Sequence, residues 1–449
     1  MAAAPQESLP NQCKSWCDLK AAYRLLSNPR VDPQAIQGPH RVVTLEACAK
    51  HPLVLCVQDD TSLDFSLRSK VKGLGRIGDG GGRGIMQHST LAVLESGELL
   101  GVLDQRWFNR CEPAPGETRR QQRARWCESD VWADAVKKVG ELRNQHAPSI
   151  PTRFVHVADR AGDVWTTMRA CDDQAMGFLV RAQHDRKLDD GDSRLWQTMQ
   201  EQAVVDTMTV QVRAQRDGRG RITRKKRTGT VSIRYGQVSL RPPVNDPRWT
   251  CDGPRQVWAI YVHEDQPPNG EGVEPIDWML LTSEPVQSAV EVRRIIGWYR
   301  CRWLVEEWHR VLKEGCKLES SQLDDAVDIQ RLAAIQSIVS VRMIQLRDLA
   351  GFGDDREDQP SRQDESENPQ VLQDTVPWTW IRVVAALTKI EPTHLTSRQF
   401  WLGIAKQGGF IGRKRDGRPG WKAIWRGWYE ISIMVRGAEL FDTGGQKCG

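Results

Sequence analysis

An α/β fold with an antiparallel β insertion and helical regions at both ends is what this sequence predicts, on three observations. Two short apolar runs, residues 53–57 and 154–157, each end in carboxylates and read as buried strands of an open sheet. Residues 178–285 alternate between apolar and polar over several short stretches, the pattern of antiparallel strands. Two long helical periods then follow, 290–317 and 326–349, the second with apolar residues from Ile329 through Leu332, Ile335, Ile338 and Val341 to Ile344 and Leu346.

Taken in order, residues 1–50 are a polar tail followed by helical pieces at 14–26, 33–36 and 41–50, stopped by His51-Pro52. The strand 53–57 ends at Gln58-Asp59-Asp60. Residues 70–84 are rich in glycine and basic side chains but lack a lysine-serine pair in phosphate-loop spacing, so they read as a flexible loop. Residues 90–94 and 99–103 flank Glu95-Ser-Gly-Glu98 as a hairpin. A polar loop at 109–123 leads to a helix at 128–143, and the strand 154–157 ends at Asp159-Arg160. Strand with terminal aspartate, hairpin, helix, strand with terminal aspartate is the opening of an RNase H-like sheet. Sites of open α/β sheets assemble at the carboxyl ends of strands, so the two aspartates can meet.

The insertion reads as strands at 178–182, 207–212, 229–234, 237–240, 257–262 and 278–281, with turns at Asp217-Gly218 and Tyr235-Gly236. Residues 351–374 are acidic and poor in large apolar side chains, which predicts a disordered linker. The remainder is helical, rich in Trp and Arg, with a corner at Gly408-Gly409-Phe410. The expected organisation is an N-terminal helical region (1–50), a core in two parts (51–182 and 286–350) around a β-rich insertion (183–285), a linker (351–375) and a C-terminal helical region (376–449).

At 449 residues the chain can bury a large core, and its formal net charge of +5 is small for that length. A nucleic-acid partner must therefore be argued from basic clusters, here 213–227 and 413–426. The 18 tryptophans outnumber the 5 tyrosines and 8 phenylalanines together, and rings beside arginines can stack bases as well as fill a core. No apolar run reaches membrane-spanning length and no signal peptide opens the sequence, so the expectation is a cytoplasmic protein without a membrane anchor. The 11 cysteines are scattered without a CxxC pair, pointing to free thiols in a reducing compartment and away from structural zinc.

Tyr299, Arg302, Glu306 and Lys313 stand in the spacing Y-x2-R-x3-E-x6-K. At about 100° per residue they fall within roughly 60° of one helix face. A carboxylate between two cations and a phenol suits a metal held beside a phosphodiester; a solvated face with paired charges is the plainer reading of the same helix. With Asp59 and Asp159 added, Glu306 completes three carboxylates, enough to hold two Mg2+ ions while leaving positions for phosphate oxygens and a water.

Several stretches together resemble a DDE transposase of the insertion-sequence-four family, of the Tn5 cut-and-paste type. They are Asp59-Asp-Thr-Ser-Leu63, Asp159-Arg-Ala-Gly-Asp163, Trp278-Met-Leu-Leu-Thr-Ser-Glu-Pro285, the Tyr299 to Lys313 signature, Val341-Arg-Met-Ile-Gln-Leu-Arg347, and Gly408-Gly-Phe410 with the tryptophans from 421 to 428. The resemblance runs from about Ala21 to the C-terminus. It implies an RNase H-like catalytic core with a β insertion, a C-terminal dimerisation domain, a nucleoid-associated bacterial protein and a homodimer acting on double-stranded DNA at transposon ends and targets. It implies that Asp59, Asp159 and Glu306 bind two Mg2+ ions, with Mn2+ able to substitute. Tyr299, Arg302 and Lys313 would contact DNA phosphate, Trp278 would stack a flipped base during hairpin formation, and Arg181 would act near the hairpin. The sequence departs from the pattern at Asp60, which doubles the first aspartate, and at Gln183, where a relative is basic. It also matches only the latter part of the end-reading helices. A transposase-like inhibitor that pairs with a full-length enzyme is therefore the second expectation.

Overall fold

The computed structural model describes residues 5–13, 15–118, 121–122, 125–212, 215–216, 222–224, 226–244, 246–249, 251–267, 275–352, 366–413 and 416–443. It is a mixed α/β protein with a large mixed sheet and several helices. The chain forms two compact units: Met1–Cys48, Asp60–Arg110 and Trp303–Gly449 in the first, Ala49–Asp59 and Cys111–Arg302 in the second. Strand β1, Leu53–Asp64, carries the chain from the second unit into the first. The apolar run predicted a strand ending near Asp60; the strand in fact continues through half-buried residues 59–62 to a buried Leu63.

In the first unit, the helix Trp16–Leu26 is capped by Ser15, whose hydroxyl accepts from the Asp18 N–H. The helix Pro33–Cys48 runs unbroken through Pro39, where two pieces were expected; it buries Gln37, Thr44, Leu45 and Cys48, which offsets the hydrogen bond that proline removes. The glycine-rich stretch expected to be a flexible loop contains β2, Gly75–Ile77, paired antiparallel with β3, Gly82–Val93. Gly84 is required there, since a Cβ would lie 2.0 Å from the Leu63 carbonyl oxygen. Strand β4, Leu99–Phe108, completes the expected hairpin, with Gly97 at φ 82° in its turn.

The helix Ala326–Leu349 has the expected bounds but not the expected single stripe: Ile335, Ile338 and Leu346 are half-buried while Gln336, Ser337 and Ser340 are buried. It is tied to the N-terminal region by Arg331, which donates to the carbonyls of Leu26 at 2.7 Å and Val31 at 2.6 Å. The helix Pro369–Thr375 occupies the end of the expected linker, most of which lies outside the described residues. Three further helices follow: Trp378–Thr388, Ser397–Gln407 and Trp421–Thr443. The last two cross where Gly427 faces the Ile404 carbonyl and Gly408 faces that of Ala423. A Cβ on either glycine would come within 1.8 Å of the facing oxygen. That close approach, rather than flexibility, explains the Gly408 corner.

In the second unit the strands are ordered β1-β5-β6-β12-β11-β10-β7. They comprise β5 (Arg153–Ala158), β6 (Gly177–Arg181), β7 (Asp206–Val212), β10 (Arg227–Leu240), β11 (Arg255–His263) and β12 (Asp277–Thr282). A separate ribbon is made by β8, Gln215–Arg216, and β9, Ile222–Arg224. β1, β5 and β6 are parallel and the rest antiparallel. Tyr235-Gly236 is not the expected turn: β10 runs through it, pairing Gly236 with Ala259, while Asp217-Gly218 lies outside the described residues. The helices Val131–His146, Trp165–Asp173 and Ala289–Arg300 complete this unit.

The helix expected over 290–317 is interrupted. It ends at Arg300, turns through Cys301 and Arg302, whose N–H groups bond to Trp298 and Tyr299 three residues back, and resumes as Trp303–Arg310. A π-helical turn, Val311–Gly315, follows. A uniform 100° per residue therefore does not hold across the tetrad, and the single-face argument is corrected: the four residues do not share one regular helix.

Candidate active site

Strand register brings four of the expected residues onto one face of the second unit. Val57 pairs with Val157, Val157 with Leu179, and Leu179 with Thr282. Two residues further along, the same row reads Asp59, Asp159, Arg181 and Leu280, the last two directly paired. Since side chains repeat every two residues, Asp59, Asp159 and Arg181 share the face of the buried row, as does Trp278 one repeat beyond Leu280. Asp159 stands just past the end of β5 and caps the turn Arg160–Gly162, its Oδ1 accepting from the Ala161 N–H at 2.8 Å. Its Oδ2 is outside that bond.

Around this row close two residues of the tetrad. Tyr299 packs against Trp278 with ring centroids 6.0 Å apart and planes at 60°. Burial pushes the Tyr299 phenol above its ordinary pKa, opposed by the Arg302 and Arg181 charges and reinforced by Asp159. Arg181 is held below the usual guanidinium range by burial, and its Nη2 donates to the Asp277 carbonyl at 2.7 Å. The Arg302 Nη1 lies 3.8 Å from Asp59 Oδ2, close enough to attract and too far for a hydrogen bond. Buried Asp163 accepts from the Gln183 N–H at 2.7 Å and from Arg186 at 2.6 Å, tying down the chain that leaves β6.

Glu306 and Lys313 belong to the first unit. Glu306 is half-buried on Trp303–Arg310. The Lys313 amine is engaged, donating to the Ser62 carbonyl at 2.7 Å and pairing with Glu319 at 3.2 Å. Asp60, left ambiguous by its neighbour in the sequence, meets the buried His88 Nδ1 at 2.6 Å. Alternation along β1 turns Asp60 to the face opposite Asp59. His88 and Asp163 were not singled out as supports by sequence reasoning, because their partners lie on other strands and loops.

Among the described residues, no three His, Cys, Asp or Glu side chains gather closely enough to hold a metal. The row nevertheless fits a hard cation: it offers two carboxylates and no thiolate or imidazole. Its next position is Arg181, so further ligands must come from outside the row. The described cysteines form no disulfide, and no described helix is long and apolar enough to cross a membrane.

Residues 1–31 match a family model described as transposase DNA-binding, and residues 388–444 match the Transposase Tn5 dimerisation domain. The two matches support a transposase of the Tn5 type, with DNA and a second copy of the chain as partners.

Proposed function

We propose that this chain is a metal-dependent DDE transposase of the insertion-sequence-four family, with an RNase H-like core, that moves a DNA element by cutting and pasting. The observation that carries the reading is the row Asp59-Asp159-Arg181, with Trp278, Tyr299 and Arg302 closed around it. Asp59, Asp159 and Glu306 would hold two Mg2+ or Mn2+ ions. When bound, these supply charge for activating the attacking oxygen and stabilising the leaving one.

The chain's own groups orient the DNA. Arg302 and Tyr299 offer donors to a phosphate beside Asp59, and Lys313 joins them by exchanging Glu319 and the Ser62 carbonyl for phosphate oxygens. Trp278 presents an aromatic face to a displaced base, offsetting part of its unstacking cost. Four displacements at phosphorus then make up the reaction. Water cuts one strand, the released 3′-hydroxyl closes a hairpin on the other, water reopens it, and the 3′-hydroxyl joins target DNA. One set of residues serves all four because only the attacking oxygen changes. An inhibitor that acts only by pairing is not favoured, since residues 1–31 match a transposase DNA-binding model.

The test is Glu306→Ala in the full chain. Mg2+-dependent strand cleavage should be abolished while DNA binding, read by gel shift, is retained; cleavage that persists in a clean preparation sinks the assignment.

A further inference from the structure

The segment that carries Glu306 and Lys313 is gripped at two points by tryptophans of the dimerisation region. Next to Glu306, the Glu307 Oε1 accepts the Trp421 indole N–H at 2.8 Å. Its Oε2 pairs with Arg347 of the helix Ala326–Leu349. Arg347 is buried, lies over the Trp421 ring at 5.8 Å, and donates from Nε to Asp348 at 2.8 Å. Trp421 is stacked on Trp425, centroids 5.7 Å apart, and meets Trp401 edge-on at 6.0 Å. At the far end of the segment, Gly315 closes the π turn so tightly against Trp425 that a Cβ there would lie 2.7 Å from the indole. Trp421 and Trp425 fall within residues 388–444, and they open a helix whose later turns expose Ile433, Met434 and Phe441.

We propose that Glu307 is a positioning residue: through Trp421 and Arg347 it sets where Glu306 stands and couples that placement to the helix of the dimerisation region. This rests on the reading of Glu306 as a metal ligand. An ordinary charged surface helix does not need this arrangement. A half-buried carboxylate that accepts from an indole and pairs with a buried arginine gives up part of its hydration, and fixed contacts on both of its oxygens offset that loss. Glu306 and Glu307 are both half-buried, and Glu307 commits one oxygen to Trp421 and the other to Arg347, which anchors the backbone beside Glu306.

The test uses the full-length protein with Mn2+ as the metal probe and supercoiled plasmid as DNA. Trp421→Phe keeps the ring and removes the N–H that Glu307 accepts. Mn2+ affinity, followed by electron paramagnetic resonance, should weaken about tenfold, the scale of losing an outer-shell partner of a metal ligand. The Mg2+ half-saturation for plasmid nicking should rise in step, with sedimentation and DNA binding unchanged. Glu307→Gln, which still accepts the indole N–H but loses the ion pair, should fall between wild type and a Glu307→Ala variant. Wild-type Mn2+ affinity in Trp421→Phe, with only the amount of active protein reduced, overturns the proposal and leaves a purely structural network. Glu306→Ala run alongside separates the two readings. If it retains Mn2+ binding and nicking, the site assignment itself fails; if it loses both while Trp421→Phe does not shift, the coupling alone fails.

Discussion

The carboxylate row of the second unit and the tryptophan–arginine network of the first are both built from charged and aromatic side chains, yet they are held at different distances. On the row, Arg302 approaches Asp59 only to 3.8 Å, and Asp159 commits one oxygen to a turn. In the network, half-buried Glu307 and Trp421 meet each other and buried Arg347 in direct contact, and Arg347 also holds Asp348. Arg302 and Arg347 are equally buried, so the two regions differ in how closely these ion pairs approach and not in desolvation.

The largest effect that can break this distinction comes from Arg347. Arg347→Ala leaves buried Asp348 and half-buried Glu307 without their cation, and should cost about 3–5 kcal/mol of unfolding free energy in urea titration. Arg302→Ala also empties a buried position but removes a looser pair, and should cost less than Arg347→Ala while weakening DNA cleavage. Equal losses of stability in the two variants would erase the contrast.

How much of this was legible follows the same line. The row was readable because it depends on short-range signals: apolar runs that end in aspartate, with strand periodicity placing residues two apart on one face. Its extent was misjudged where β1 continued past Asp60, since a strand that buries Leu63 beyond a polar stretch looks in sequence like one that has stopped. The tetrad was recognised, but its geometry was not. The i→i−3 bonds at Cys301 and Arg302 and the π turn at Val311–Gly315 have no composition signal of their own. The network could not be read at all, because Glu307 and Trp421 lie 114 residues apart and only packing brings them together. Likewise, the Gly408–Gly427 crossing depends on two helices whose contact no local pattern announces.

Trp278 gives a smaller effect and sharpens the functional half of the comparison. Its ring is half-buried, resting tilted on Tyr299 rather than locked among other indoles. Trp278→Ala should slow hairpin closure by an amount equivalent to about 1–3 kcal/mol, the worth of one base–aromatic stack, and slow the first nick less. Single-turnover assays that resolve nicked and hairpin DNA read this directly. Equal slowing of both steps would make Trp278 a packing residue of the same kind as Trp421.

The smallest effect tests whether the segment bearing Glu306 and Lys313 is anchored as firmly as its contacts imply. His309 sits between them, buried, with Nε2 3.4 Å from the Ser89 hydroxyl. Burial first, then the Lys313 and His88 charges, lowers its pKa from 6.5 to about 3. The unfolded chain therefore takes up a proton near pH 6.5 that the folded chain refuses until about pH 3, so stability falls as pH drops through that window. Between pH 6.5 and 5.5 this one residue should remove about 1 kcal/mol. His309→Gln should flatten the dependence of the thermal midpoint on pH in that interval. An unchanged slope would mean that His309 already exchanges its proton in the folded protein, and that this segment opens more readily than the closed network around Glu307 allows.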